Sequence, residues 1–400
     1  MITAQFEPSK VSVARLSERV SHVAFAAALV GWLGCSDSKP VDKAVAAPAV
    51  EPAVEKDAGT SEALRTIAAG RLSIGSAAHD EHLVGDPDYA TVLAREFDSI
   101  TPYTAMKWGR IHPERDHYDF AGADALVQLA TAHGMRVRGH TLVWGGASDP
   151  PNPKYLNDAS SPEELRALLT DHVQTVVGRY AGYVDRWDVV NEPIASPGDA
   201  NAVDGLKRNV FLTQLGPGYI AEALELAHDA APSAKLFVNE LFVLKPGPKQ
   251  DRFFRLIQEL LAANVPLGGV GFQGHLAFSP FELADQVDMP TEQEMEATLR
   301  RFAAFGVDVE ITELNVHTWR FEGDRAARLE RQRELYASVV RACVSVPACK
   351  AVTVWLFTDK YPTTAEAMLN RRGEPLLFDE SYAPKPAYFG VRDELSIERP

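Results

Sequence analysis

The chain has 400 residues, 46% of them apolar, and a formal net charge of -15 at pH 7 with no basic block to offset it. That balance opposes any general affinity for phosphate backbones, so nucleic acid is not an expected partner. No apolar stretch reaches the roughly 18 to 20 residues that a membrane-spanning helix needs, the longest candidate being Val23 to Gly34.

That candidate follows Lys10, Arg15 and Arg19 and leads directly to Cys35, so residues 1–35 read as a lipoprotein-type export signal ending at a lipidated Cys35. A plain secretory signal and an ordinary helix are the alternatives. The expected location is accordingly the periplasm or cell surface as a membrane-anchored lipoprotein, otherwise secreted. Residues 36–61 are rich in Ala, Pro and Val and poor in aromatic and large aliphatic side chains, the composition of a disordered tether. Residues 62–400 are then expected to form one domain.

Within that domain, apolar runs of four to seven residues recur from Leu72 onward. The predicted strands are Leu72 to Ser76, Ser99 to Tyr103, Arg136 to Val143, Val184 to Val190, Lys235 to Asn239, Val270 to Gln273, Val307 to Thr312 and Ala351 to Phe357. Between them lie helical patterns: Phe120 to His133, Pro162 to Tyr180, Tyr219 to Ala230, Gln250 to Ala263, Thr291 to Phe305 and Arg325 to Ala342. Strand and helix alternating in this way over a domain of this size predict an α/β fold, a single (β/α)8 TIM barrel. Cys343 and Cys349 flank a proline-containing turn before the last strand. In an exported chain they read as a loop-stapling disulfide, against a metal pair or isolated buried thiols.

Polar side chains gather where these strands end: His140, Trp144, Asn191, Glu192, Asn239, Glu240, Gln273, His275, Glu313, Trp355 and Asp359. Strand ends of a barrel converge on one rim, which would make them neighbours. Two of them, Glu192 and Glu313, each follow a short apolar run. A carboxylate at such an exit is dry enough to have a tuned pKa and open enough to meet a substrate. A pair of this kind is what a glycosidase needs to flank one glycosidic bond.

The motifs Gly139-His140-Thr141-Leu142-Val143-Trp144, Trp187-Asp188-Val189-Val190-Asn191-Glu192, Gly271-Phe272-Gln273-Gly274-His275-Leu276, Ile311-Thr312-Glu313-Leu314 and Val352-Thr353-Val354-Trp355 resemble, in order, those of glycoside hydrolase family 10, the retaining endo-β-1,4-xylanases. Met106-Lys107-Trp108 and Leu377-Phe378-Asp379 with Pro384-Lys385-Pro386-Ala387-Tyr388 extend the likeness, which runs from about residue 64 to 393. The resemblance implies Glu192 as acid and then base, Glu313 as nucleophile, and Asn191 and His275 in support. It also implies Lys107, His140, Trp144, Gln273 and Trp355 as substrate-binding residues. On this reading Glu313's charge would raise the pKa of Glu192. Glu240 would be a third rim carboxylate or a solvated one.

The departures fall on the glycone side. Tyr103 and Thr104 stand where the family usually carries a glutamate-asparagine pair, Gly145-Gly146-Ala147-Ser148 replace a histidine and a glutamine, and Tyr361-Pro362-Thr363-Thr364 lack a customary tryptophan. Asn315 replaces an aspartate that would favour a charged His275. The expected function is retaining hydrolysis of β-1,4 bonds in xylan or xylan-like oligosaccharides by a monomer, with no metal or organic cofactor implied. A retaining β-glycosidase acting on a different or decorated glycone is the alternative, and a non-catalytic glycan-binding surface protein a remote one.

Overall fold

A computed structural model describes residues 62–145, 152–277 and 289–397. The signal segment with Cys35, the tether, and Gly146, Ala147 and Ser148 lie outside the described residues. Its strands are β1 Ser73–Ala78, β2 Ser99–Pro102, β3 Arg136–Trp144, β4 Val184–Asn191, β5 Lys235–Glu240, β6 Gly269–Phe272, β7 His275–Leu276, β8 Asp308–Val316 and β9 Cys349–Val354. All pair in parallel in the order β6-β5-β4-β3-β2-β1-β9-β8, and a β6–β8 pairing closes the ring. Eight strands thus form the expected (β/α)8 barrel. The two-residue β7 continues the line of β6 and pairs with the far end of β8.

The strands read as apolar runs because both faces are covered, by helices outside and by packed side chains within. The helices follow from pattern plus caps. Glu292–Ala303 starts at a reciprocal Thr291/Glu294 capping box and buries Met295, Leu299 and Phe302. Pro162–Arg179 starts at Ser161, whose side chain accepts the Glu164 N–H, and buries Leu165, Leu169, Val173 and Val176. Two further helices, Pro87–Glu96 and Pro386–Ser396, complete the outer ring on the side of β1.

Three strand predictions need correction. Thr312 is not the end of its strand: β8 runs on to Val316, because His275 and Leu276 supply it with partners. Glu313 therefore sits within a strand. Gln273 and His275 are not alternate positions of one continuous strand, since Gly274 at φ 80° breaks it. The last strand is displaced, starting at Cys349 and leaving Trp355 just beyond it.

Cys343 and Cys349 form a disulfide with Cα atoms 5.3 Å apart, joining the helix Arg325–Val344 to the start of β9. The loop it closes is short. Replacing both cysteines by serine is expected to cost about 2 kcal/mol, read from denaturant midpoints of the oxidised protein and the variant.

The barrel interior holds a buried ionic layer just below the rim. Arg138 on β3 donates Nε to Asp188 Oδ2 at 2.9 Å and Nη1 to Glu310 Oε2 at 2.7 Å, and Arg186 donates to Glu310 Oε1 at 2.5 Å. Removing any one member leaves a buried charge uncompensated, the costly case for such pairs.

Candidate active site

The rim above that layer is built from strand exits. Asn191 is the last residue of β4 and Glu192 the next, with φ 54°. A non-glycine residue held there carries roughly 1 to 3 kcal/mol of strain. The Glu192 N–H is nevertheless satisfied by Asn239 O at 2.8 Å.

The two glutamates are linked through neutral amides. Thr312 Oγ1 donates to Asn239 Oδ1 at 2.7 Å, which orients the Asn239 amide. Asn239 Nδ2 then donates to Glu313 Oε1 at 2.7 Å and to Asn191 Oδ1 at 2.9 Å. Gln273 Nε2 donates to Asn191 Oδ1 at 3.3 Å and to Glu192 Oε1 at 3.1 Å. The other oxygen of Glu313 lies 3.1 Å from His275 Nε2, and the other oxygen of Glu192 lies 3.3 Å from the Lys207 ammonium.

The two carboxyls meet different electrostatics. Burial pushes the Glu192 carboxyl up, but the Lys207 charge and the Gln273 hydrogen bond outweigh it and hold the group below its ordinary value. This reverses the expectation that Glu313's charge would raise it. Lys207 was not visible in the sequence as a site residue, because it lies in the loop after β4 with no motif around it. Replacing it by methionine removes the charge, so the Glu192 proton is held to higher pH. The alkaline limb of kcat/KM, which reports the free acid, is expected to move upward in pH.

Glu240 is neither solvated nor on the open rim. It is fully buried, accepts the backbone N–H groups of Ile194 and Leu241, and pairs with Lys249 at 2.8 Å. Burial raises its pKa, Lys249 opposes that rise and the Glu192 charge adds to it. It anchors the loop after β4 that also carries Lys207.

His275 Nδ1 lies 3.2 Å from Asn315 Oδ1. An asparagine amide can turn to present either its carbonyl or its NH2, so it serves a neutral imidazole or an imidazolium equally. An aspartate could only accept, and would favour the imidazolium facing Glu313. Asn315→Asp is therefore expected to move the acidic limb of the pH–rate profile to lower pH, and an unmoved limb would dismiss the idea.

The remaining expected residues surround this pair. His140 Nδ1 is 3.0 Å from Asp188 Oδ2, so the ionic layer fixes the tautomer and leaves Nε2 for a ligand. Its ring meets Trp355 edge-on at 5.1 Å, and His275 meets the same indole at 6.2 Å. Lys107 is buried, with its ammonium 5.1 Å from the Tyr103 ring and 5.2 Å from the Trp144 ring. Asn239, noted in the sequence as a rim residue without a role, proves to be the amide that touches the nucleophile candidate. Among the described residues, no group of three or more His, Cys, Asp or Glu side chains could hold a metal ion.

Residues 63–394 match the sequence model described as glycosyl hydrolase family 10. The chain is 35% identical to endo-1,4-β-xylanase B of Thermotoga neapolitana over 306 residues, 76% of this chain and 82% of that protein. It is 36% identical to endo-1,4-β-xylanase A of Phanerodontia chrysosporium over 340 residues, 84% of this chain and 78% of that protein. Among solved structures it resembles xylanase 10B from Thermotoga petrophila in complex with xylobiose, with a TM-score of 0.74 and 34% identity, covering 84% of this chain and 98% of that one.

Proposed function

The chain belongs to glycosyl hydrolase family 10, and on that premise we propose that it hydrolyses β-1,4-glycosidic bonds in xylan or xylo-oligosaccharides with retention of configuration. Glu313 attacks the anomeric carbon as the leaving oxygen takes its proton from Glu192. Water activated by Glu192 then releases the sugar from the Glu313 ester. The observation that carries this reading is the different company of the two carboxyls: amide and imidazole on Glu313, Lys207 and Gln273 on Glu192. As acid, Glu192 must carry its proton in the productive complex, so the proposal requires the Lys207 contact, 3.3 Å long, to be weakened there.

Asn191 is the group proposed to hold the sugar 2-hydroxyl, in a bond that strengthens as the oxocarbenium ion forms. The same reaction on a different or decorated glycone is a second reading, favoured by Tyr103, whose hydroxyl is already engaged by Thr364. Export through residues 1–35 with a lipid on Cys35, a tether over 36–61 and a catalytic domain over 62–400 complete the proposal; a Cys35→Ser variant that still partitions with membranes would remove the lipid.

Purified protein on xylan, xylo-oligosaccharides and other β-linked glycans, with Glu313→Ala as control, tests the proposal. Xylo-oligosaccharides or xylose released only by the unmutated protein, with the β anomer appearing first by NMR, support it. An α anomer appearing first overturns retention, and activity confined to another glycan overturns the xylan assignment.

A further inference from the structure

The left-handed turn at Glu192 is held by the end of β5. Pro193 has no N–H to give, so the backbone donors at this turn are those of Glu192 and Ile194. Both go to consecutive residues of β5, the first to Asn239 O at 2.8 Å and the second to Glu240 Oε2 at 2.8 Å. Strained backbone persists only where its surroundings over-determine it, and the Glu240 carboxylate supplies one of these two fixings. The returning limb of the same loop is registered on the residues just fixed. Ala195 N–H donates to Gly205 O at 3.1 Å, and Lys207 N–H donates to Pro193 O at 2.8 Å. Glu240 thus anchors both the acid/base candidate and the lysine that faces it.

The other oxygen of Glu240 accepts the Leu241 N–H at 2.9 Å and pairs at 2.8 Å with Lys249, in the first turn of the helix Pro248–Ala262. Lys249 Nζ also donates to Leu241 O at 2.7 Å. The hydrogen-bond partners of Glu240 among the described residues are all donors, the arrangement of an ionised carboxylate. The pair is then neutral as a whole, and its members act on Glu192 in opposite directions. The Lys249 charge lowers the Glu192 pKa, and the repulsion between Glu192 and Glu240 raises it. The remaining charge facing Glu192 is Lys207, while Trp144 on β3 and Gln273 after β6 meet it as neutral groups. Glu313 and His275 stand beyond the Asn239 amide, and Glu240 also faces the neutral Tyr219 hydroxyl from the helix Tyr219–Ala230.

We propose that Glu240 is a positioning residue for proton transfer, whose buried carboxylate sets both the backbone turn and the electrostatic surroundings of the acid/base glutamate. It acts through Glu192 and serves the step in which the leaving oxygen takes its proton. This rests on the hydrolytic reading above and names a buried group on which the acid of that reading depends. Glutamine at position 240 keeps the shape but offers a single acceptor atom, so one of the two backbone N–H groups is left facing an NH2. It also leaves the Lys249 charge uncompensated, which makes Glu192 give up its proton at lower pH. The loss then falls on leaving groups that need a proton and spares those that do not.

The test compares kcat/KM, which reports the first step, on xylopentaose and on 2,4-dinitrophenyl β-xylobioside, whose phenolate leaves unaided. Glu240→Gln is expected to lower it at least about tenfold on xylopentaose and less than about threefold on the aryl glycoside. The alkaline limb on xylopentaose is expected to move down by at least about half a pH unit. Glu240→Gln combined with Lys249→Met removes both charges, and is expected to return that limb to its unmutated position while keeping the dependence on leaving group. Thermal melts show which variants are folded; if the single variant is not, the comparison of leaving groups is made on the double variant. Equal losses on the two substrates, or an unmoved alkaline limb in folded Glu240→Gln, are what a merely structural residue would give, and overturn the positioning role alone. Hydrolysis of neither substrate by the unmutated protein overturns the hydrolytic reading and this inference with it.

Discussion

Glu313→Gln lowers kcat/KM by about 10^4-fold or more on any substrate the protein cleaves, while the fold survives. The carboxylate is buried within β8, receives Asn239 Nδ2 on one oxygen and faces His275 Nε2 on the other. Glutamine keeps that size and can keep one of the two bonds, but its amide oxygen is too poor a nucleophile to form the ester. The loss should therefore fall on kcat more than on KM, because the contacts proposed for the sugar remain. Glu313→Ala adds a diagnostic. Azide entering the vacated space attacks the same face as the missing carboxylate, so an active aryl glycoside is expected to give the α-glycosyl azide. Thermal melts of both variants distinguish lost chemistry from lost folding.

Glu192→Ala behaves differently on different leaving groups. A sugar alkoxide needs the proton, and its hydrolysis is expected to fall by about 10^2- to 10^4-fold. A nitrophenolate leaves unaided, so formation of the glycosyl-enzyme is barely slowed while its hydrolysis loses the base. A burst of phenol followed by a slow steady state is the expected trace. Azide should speed the second step and give the β-glycosyl azide, opposite in configuration to the product from Glu313→Ala. Equal slowing of both substrates would mean that Glu192 is not the proton donor.

Much of this architecture was legible because barrel strands, covered on both faces, leave compact apolar runs in the sequence. Ser99–Pro102, Val184–Asn191 and Lys235–Glu240 lie within a residue of expectation at both ends for this reason. The end of β8 was not legible, since Asn315 interrupts the apolar run and its pairing partner is the two-residue β7. Gln273 and His275 both reach the site, but by a break at Gly274 rather than by strand periodicity.

The site followed the same division. Glu192, Glu313, Asn191, Gln273 and His275 sit in motifs at strand exits, and one rim brings them together. Lys207 and Glu240 depend on how the loop after β4 packs, which no local pattern encodes. The direction of the Glu192 shift depends on that loop too, because Lys207 decides it. Tyr103 was visible as a departure from the family pattern. Its tie to Thr364, 261 residues along the chain, emerges only when β2 and β9 are seen to flank β1.

The most direct measurement is to trap the intermediate with 2,4-dinitrophenyl 2-deoxy-2-fluoro-β-xyloside, whose fluorine slows both steps and whose leaving group restores the first. Intact mass followed by peptide mapping is expected to find one fluoroxylosyl group, on the peptide that carries Glu313, and none in Glu313→Gln. A label on Glu192, or rapid turnover of other β-xylosides with no label at any residue, would contradict the assignment of Glu313 as nucleophile and with it the double displacement.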